Sequence, residues 1–266
     1  MSLTVPQQVH IMSKVLKIAF TASESEKARA GRSRLVARYG ECDLADADVI
    51  VALGGDGFML QTLHETRDLE VPVYGMNRGT VGFLMNEYNE SGLVGRLMAA
   101  EEAVINPLQM HAQCVDGTHH SALAINEVSL LRAGPQAAKL QISVDDRVRM
   151  EELVCDGALL STPAGSTAYN NSAHGPILPI GAEVLALTAV AAFRPRRWRG
   201  ALLPKNAKVR FDVLEAAKRP VMVDADSRSV SNVAFVEIAS QPAINHRLLF
   251  DPGRGLEERL LQEQFI

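Results

Sequence analysis

Short apolar runs, set between stretches of helical period, mark the first third of the chain. Val15-Leu16-Lys17-Ile18-Ala19-Phe20-Thr21 reads as a strand, as does Asp48-Val49-Ile50-Val51-Ala52-Leu53, and Val71-Pro72-Val73-Tyr74-Gly75-Met76 reads as a third. Ser23 and Glu26 match a capping box at the start of a first helix, and Gly40 stands where that helix would stop. Phe58-Met59-Leu60-Gln61-Thr62-Leu63-His64 reads as the start of a second helix. Strands alternating with helices predict a parallel α/β sheet.

The pattern changes near Pro107. Helical periods become scarce, and strand-like segments crowd together at Ala122-Leu123-Ala124-Ile125, Val128-Ser129-Leu130-Leu131 and Leu140-Gln141-Ile142-Ser143-Val144. Asp145-Asp146 reads as a hairpin turn into Val148-Arg149-Met150-Glu151. Val209 to Val213 and Val233 to Ile238 alternate in the period of a half-buried strand. Glu183 to Phe193 is apolar throughout and fits either a buried strand or a helix. After Pro252-Gly253, Leu256-Glu257-Glu258-Arg259-Leu260-Leu261 has helical period. The expected division is an α/β domain over residues 13–107 and a β-rich domain over residues 108–240.

Composition narrows the class. The chain has 266 residues, 47% hydrophobic and 22% charged, with a formal net charge of -4, which fits a globular protein without global attraction to nucleic acid. The basic run Arg194-Pro195-Arg196-Arg197-Trp198-Arg199 is short and reads as a solvated loop or a subunit contact. Cys42, Cys114 and Cys155 show no metal-binding or disulfide spacing, so they read as reduced spectators in a cytoplasmic protein. No apolar run approaches the ~20 residues that span a bilayer. The residues through Met12 read as a weakly structured lead-in without the regions of a signal peptide. Neither a membrane nor a nucleic acid is an expected partner.

The chemistry begins at Gly54-Gly55-Asp56-Gly57, between the second strand and the second helix. A glycine turn there presents backbone N–H groups at a helix N-terminus, where the dipole favours an anion. Asp56 is the unusual element, because a carboxylate repels phosphate unless a cation bridges them or a hydroxyl needs deprotonation. The turn is neither a dinucleotide GxGxxG fingerprint nor a Walker A loop. A second glycine-rich segment, Gly75 to Leu84, follows the third strand, and its Phe83 either packs against a base or enters the core. Asn126-Glu127 is a polar pair between apolar segments, suited to an edge turn or to a ribose or adenine contact. The densest signal runs from Asp156-Gly157 through Thr162-Pro163-Ala164-Gly165-Ser166-Thr167-Ala168-Tyr169-Asn170-Asn171-Ser172. Thr162 to Ser166 reads as a turn and Thr167 to Ser172 as a short helix, too polar for a core helix and suited to lining a polar ligand cavity. Of the seven histidines, His119-His120 read as exposed hairpin residues, and His174 lies near the ligand-like segment.

These motifs, closed by Gly175-Pro176-Ile177, closely resemble in order and spacing the NAD kinase family of bacterial type. The resemblance runs from the first strand to the last helix. It implies phosphoryl transfer from ATP, or polyphosphate, to the 2′-hydroxyl of the adenosine ribose of NAD. A divalent cation, Mg²⁺ above all, must then screen the triphosphate, and no side chain is assigned as a metal ligand. It also implies that the final segment, about residues 241–266, returns to complete the first domain, that the sandwich-like second domain binds the dinucleotide, and that the protein is a homodimer or homotetramer. Asp56 matches the catalytic aspartate of that family. Asn126, Glu127, Asp156, Thr167, Tyr169 and Ser172 match dinucleotide contacts. Gly54, Gly55, Gly57 and Phe83, together with Ala164, Ala168 and Asn170, are expected to complete the binding surface. Two departures stand out: Val154 where the family often has arginine, and His174 where it often has glycine. A kinase of another hydroxyl acceptor, such as a lipid, and a non-catalytic NADP(H) sensor are the alternative readings.

Overall fold

The computed structural model describes residues 16–79 and 82–265. Val15, the lead-in through Met12, and Thr80-Val81 lie outside the described residues. In chain order the first lobe comprises β1 (Ile18–Ala22), α1 (Glu26–Tyr39), β2 (Val49–Gly54), α2 (Asp56–Glu65), β3 (Val73–Asn77), α3 (Leu93–Ala99) and β4 (Glu101–Ile105). The second comprises β5 (Leu108–Cys114), β6 (His119–Ala124), β7 (Glu127–Arg132), β8 (Ala138–Val144), β9 (Arg147–Cys155), β10 (Gly157–Ser161), α4 (Tyr169–Ser172), β11 (Val184–Val190), β12 (Gly200–Pro204), β13 (Val209–Val213), β14 (Val221–Ala225), β15 (Arg228–Val230) and β16 (Val233–Ser240). The chain then returns to the first lobe as β17 (His246–Phe250) and α5 (Leu256–Glu263).

The first sheet has the order β1-β2-β3-β17-β4. Its first four strands are parallel and β4 is antiparallel to β17. Every residue of β2 is buried, because both faces of the sheet are covered. That explains the unbroken apolar run that precedes the glycine turn. The returning β17 sits beside β3, with Leu248 opposite Val73. The final segment therefore completes the first sheet.

The second lobe is a sandwich of two antiparallel sheets, ordered β12-β11-β10-β7-β14-β15 and β6-β5-β16-β13-β8-β9. Leu130, Leu160 and Val223 of one sheet meet Phe211, Val236 and Leu140 of the other in one apolar cluster. The alternation seen in Val209 to Val213 is the inward–outward pattern of such a sheet.

Several local readings change. Ser25, not Ser23, caps α1: its hydroxyl accepts from the Ala28 N–H at 3.2 Å, and Glu26 is already helical, so no capping box forms. Helix α2 opens at Asp56, not at Phe58, which puts the aspartate inside the first helical turn. The ambiguous stretch after Glu183 is a strand, β11, buried between β10 and β12. The short helix expected over Thr167 to Ser172 is split: a 3₁₀ turn spans Ala164–Thr167, and Ala168, at φ -88° and ψ -128°, breaks it from α4. Gly40 does end α1, at φ 76°, and Asp145-Asp146 does form the β8–β9 turn, with both residues at positive φ. Among the described residues no helix is long and apolar enough to cross a membrane.

Candidate active site

The glycine turn lies at the carboxyl end of β2, where Gly54 pairs with Asn77 at the end of β3. The Gly54 carbonyl accepts from the Arg78 N–H at 2.7 Å, locking the two loops together. A Cβ at Gly54 would lie 2.7 Å from Cβ of Phe58, so only glycine fits there. Gly55 is the N-cap of α2, and no side chain caps the helix. Among the described residues, nothing lies within 4 Å of where a Cβ at Gly55 or Gly57 would stand. An uncapped N-terminus facing open space is an anion site in the making.

Asp56 occupies the first helical position, where the dipole favours its charge. Its carboxylate accepts the N–H of Phe83 at 2.6 Å and that of Leu84 at 2.8 Å. An ionised carboxylate has about four acceptor positions, so each oxygen keeps capacity for a further donor. Arg259 of α5 holds the same loop by its carbonyls, donating to Phe83 at 2.9 Å and to Met85 at 2.6 Å. Asp56, Phe83 and Arg259 line one cleft with Thr167 of the second lobe. Phe83 answers both readings made of it: it is half-buried against the first core and also faces this cleft.

The polar pair forms a second centre. Asn126 lies in the bend between β6 and β7, and Glu127 opens β7, a central strand and not an edge. The carbonyl of Asn126 accepts from the Thr162 N–H at 3.0 Å, and the Thr162 hydroxyl donates to the Ile125 carbonyl at 2.8 Å. Gly165 packs on this peptide so closely that a Cβ would stand 2.2 Å from the Asn126 oxygen. The glycine in the long small-residue motif is thereby explained. Glu127 is half-buried, but its Oε2 is sealed from solvent and has no partner among the described residues. Burial, with the charge of Asp226 nearby, pushes its pKa up to about 7, against a pull downward from the Tyr169 backbone. A buried, unpartnered carboxylate oxygen is an open acceptor for a ligand hydroxyl.

Asp156 is half-exposed and pairs with Arg132 of β7 at 2.6 Å. Burial, then the charges of Glu127, Asp224 and Asp156, raise the pKa of the Tyr169 hydroxyl. Tyr169 therefore sits among three carboxylates drawn from three strands or their ends. Thr167 lines the cleft and is half-buried, as is Ala168, and Ser172 is exposed. Ala164 is buried in the first apolar cluster with Ile125, so its methyl group serves the core. Asn170 departs from the expected binding role. It is fully buried, its amide donates to the carbonyls of Ser166 and Pro176 at 3.1 and 2.9 Å, and its oxygen accepts from the Thr188 hydroxyl at 2.6 Å. Both donor hydrogens of that side chain are spent inside the fold, and its buried oxygen keeps only one lone pair unused.

Two stretches match family models: residues 3–91 match the ATP-NAD kinase N-terminal domain and residues 125–238 the ATP-NAD kinase C-terminal domain. The chain belongs to the NAD kinase family. It is 70% identical over 250 residues to the NAD kinase of Cereibacter sphaeroides, covering 94% of this chain and 98% of that one. It is 61% identical over 251 residues to the NAD kinase of Caulobacter vibrioides, covering 94% and 96%. The fold resembles that of yeast NADH kinase solved with NADH, at a TM-score of 0.79 and 18% identity over 94% of this chain and 87% of that one. It also resembles an NAD kinase from Archaeoglobus fulgidus solved with ATP, at 0.71 and 23% over 90% and 95%. The activity is that of an NAD kinase, a phosphotransferase, and the lipid-kinase and sensor alternatives fall away.

Both family departures have a structural setting. Val154 is buried, and its backbone pairs with Arg194 at the head of the basic loop. His174 is exposed at φ 61°, a conformation in which glycine is unstrained. The residues that sequence reasoning missed are Arg132, Asp224, Asp226 and Arg259. No local motif marks them; each reaches the site from a distant part of the chain.

Proposed function

We propose that Asp56 accepts the proton of the adenosine 2′-hydroxyl of NAD while the γ-phosphate of ATP is transferred to that oxygen. The observation that carries this reading is the cleft shared by Asp56 and Thr167, with the open N-terminus of α2 beside it. Phosphates fit the uncapped helix turn; the acceptor hydroxyl fits the carboxylate one position along. A loose phosphoryl-transfer transition state delays proton removal, so even a weak base suffices, and alignment of the hydroxyl is the larger contribution.

Asn126 and Asp156 orient the dinucleotide in this reading, and Glu127 and Tyr169 fix its ribose and base surroundings. The unpartnered Oε2 of Glu127 supports that division, because a ribose hydroxyl would supply the donor it lacks. The negative lining around Tyr169 suits sugar hydroxyls and amide N–H groups and disfavours phosphates.

The family generally works with a divalent cation. Among the described residues no group of three or more His, Cys, Asp or Glu side chains could hold one. An ion carried mainly by the triphosphate and water, with at most one protein carboxylate, is the usual setting of Mg²⁺. When bound, it would screen the charge of the triphosphate. A homodimer or homotetramer is proposed as the working assembly, supported by Phe193 and Leu202, which are more than half exposed on and beside edge strand β12. Three free cysteines support a cytoplasmic setting.

The test is an NADP-detecting assay with ATP and polyphosphate supplied in parallel, together with calorimetry of NAD on Glu127→Ala. Weakened NAD binding in that variant is expected. Unchanged affinity would remove Glu127 from the site.

A further inference from the structure

Helix α2 carries Asp56 in its first turn and His64 in its last. Ten residues of α-helix span about 15 Å, so the two side chains mark opposite ends of one rigid strut. At the far end His64 Nε2 lies 2.7 Å from Oδ2 of Asp226, in the turn between β14 and β15 of the second lobe. The Asp226 side chain is only 3% exposed. Its backbone is left-handed, at φ 49°.

That carboxylate has two further partners. Oδ2 accepts the Ile125 N–H at 2.7 Å, and Oδ1 accepts the Asn126 N–H at 3.0 Å. The carbonyls of the same two residues are held from the other side by Thr162. Asp226 is thus the acceptor that joins the end of the Asp56 helix to the backbone of the Asn126-Glu127 pair. Nothing local in the sequence announces this, because residues 64 and 226 stand 162 positions apart. His246 closes the cluster, buried and edge-on to His64 at 6.2 Å between ring centres.

We propose that His64 and Asp226 are positioning residues for phosphoryl transfer, their bridge setting the spacing between the Asp56 carboxylate and the Ile125-Asn126 backbone that leads into Glu127. In this reading neither touches a substrate. The proposal rests on the assignment of Asn126 and Glu127 to the dinucleotide. A misplacement of about 1 Å between acceptor-binding groups and the reacting centre costs on the order of 10²-fold in rate, so a strut of this kind has kinetic consequences. A purely structural contact between lobes would change the folded fraction and the melting temperature, leaving KM for each substrate as it was.

The full-length protein carrying Asp226→Asn, His64→Leu, His64→Gln or Asn126→Ala separates these roles. Each is assayed at a temperature where circular dichroism shows it folded, with NAD and ATP varied in turn. Asp226→Asn turns one backbone acceptor into a donor, so KM for NAD is expected to rise about tenfold or more, with KM for ATP within about twofold. His64→Leu is expected to move KM for NAD in the same direction. His64→Gln keeps an N–H donor and is expected to recover most of that loss. His64 is a quarter exposed, so its variants remain informative if Asp226→Asn does not fold. Asn126→Ala reports the underlying assignment independently. If it raises KM for NAD while folded His64→Leu shows only a lower melting temperature, the positioning role is overturned. If Asn126→Ala itself leaves KM for NAD unchanged, the dinucleotide assignment fails, and the proposal with it.

Discussion

Asp56 and Arg259 hold one loop from its two sides: the carboxylate takes the N–H groups of Phe83 and Leu84, and the guanidinium takes the carbonyls of Phe83 and Met85. Arg259 comes from the last helix and Asp56 from the second, so the returning end of the chain braces the loop that Asp56 grips. Burial lowers the Arg259 pKa from its ordinary value, and the charge of Asp56 is the largest influence opposing that shift. The guanidinium also lies 5.1 Å from the centre of the Phe250 ring, which fixes its direction.

Arg259→Met keeps the apolar stem and removes every donor. The loop carbonyls then lose their partner, and a loss of about 1–3 kcal/mol of stability is expected. Because the loop is a direct partner of Asp56, kcat is expected to fall more than the folded fraction does. Denaturant melts combined with steady-state kinetics check this; a normal kcat in a destabilised variant would confine Arg259 to the fold.

Glu127 and His246 give opposite pH dependences. The folded pKa of Glu127 is raised from 4.5 to about 7, so the folded state holds a proton that the unfolded state releases. Its contribution to stability is full below about pH 4.5 and is lost as pH rises to about 7, by roughly 3 kcal/mol. His246 is lowered from 6.5 to about 4, mainly by burial. Its contribution is full above about pH 6.5 and is lost as pH falls toward 4. Glu127→Gln is therefore expected to gain melting temperature over the parent protein as pH rises from 4.5 to 7. Removing the titration with His246→Gln should shrink the loss of stability between pH 6.5 and 4. Thermal melts across that range decide both; a difference independent of pH would refute the burial argument.

Asn170→Ala tests the one residue moved from binding to scaffold. Its three hydrogen bonds are all internal, and Gly175 stands against its oxygen, where a Cβ would approach to 2.1 Å. The substitution is expected to lower stability by about 2–3 kcal/mol, because three buried partners lose their bonds. KM for NAD, measured on folded protein, is expected to stay within about twofold. A large rise in that KM with unchanged stability would return Asn170 to the ligand surface.

The strand–helix alternation of the first lobe was legible because both faces of β2 are buried and the period changes sharply at Gly54-Gly55-Asp56-Gly57. The sandwich was legible in the alternation of β13 and β16. Ser23 misled because serine caps compete locally, and only the orientation of the Ser25 hydroxyl decides between them. Asn170 misled because a buried amide that bonds backbone carbonyls has the same sequence signature as one that bonds a ligand. Asp226, Arg132 and Arg259 stayed hidden because their partners come from other strands or the far end of the chain. Spacing along the sequence holds no record of such contacts.

The catalytic assignment of Asp56 has one direct test. Asp56→Asn preserves size and keeps an oxygen for one of the two loop N–H groups while setting an NH₂ against the other. The dinucleotide contacts proposed on the second lobe are untouched, so NAD affinity by calorimetry on folded protein is expected to stay within about threefold. Turnover of NAD to NADP is expected to fall by at least about 10²-fold at saturating substrates. A variant that binds NAD normally and turns over near the parent rate would contradict the assignment.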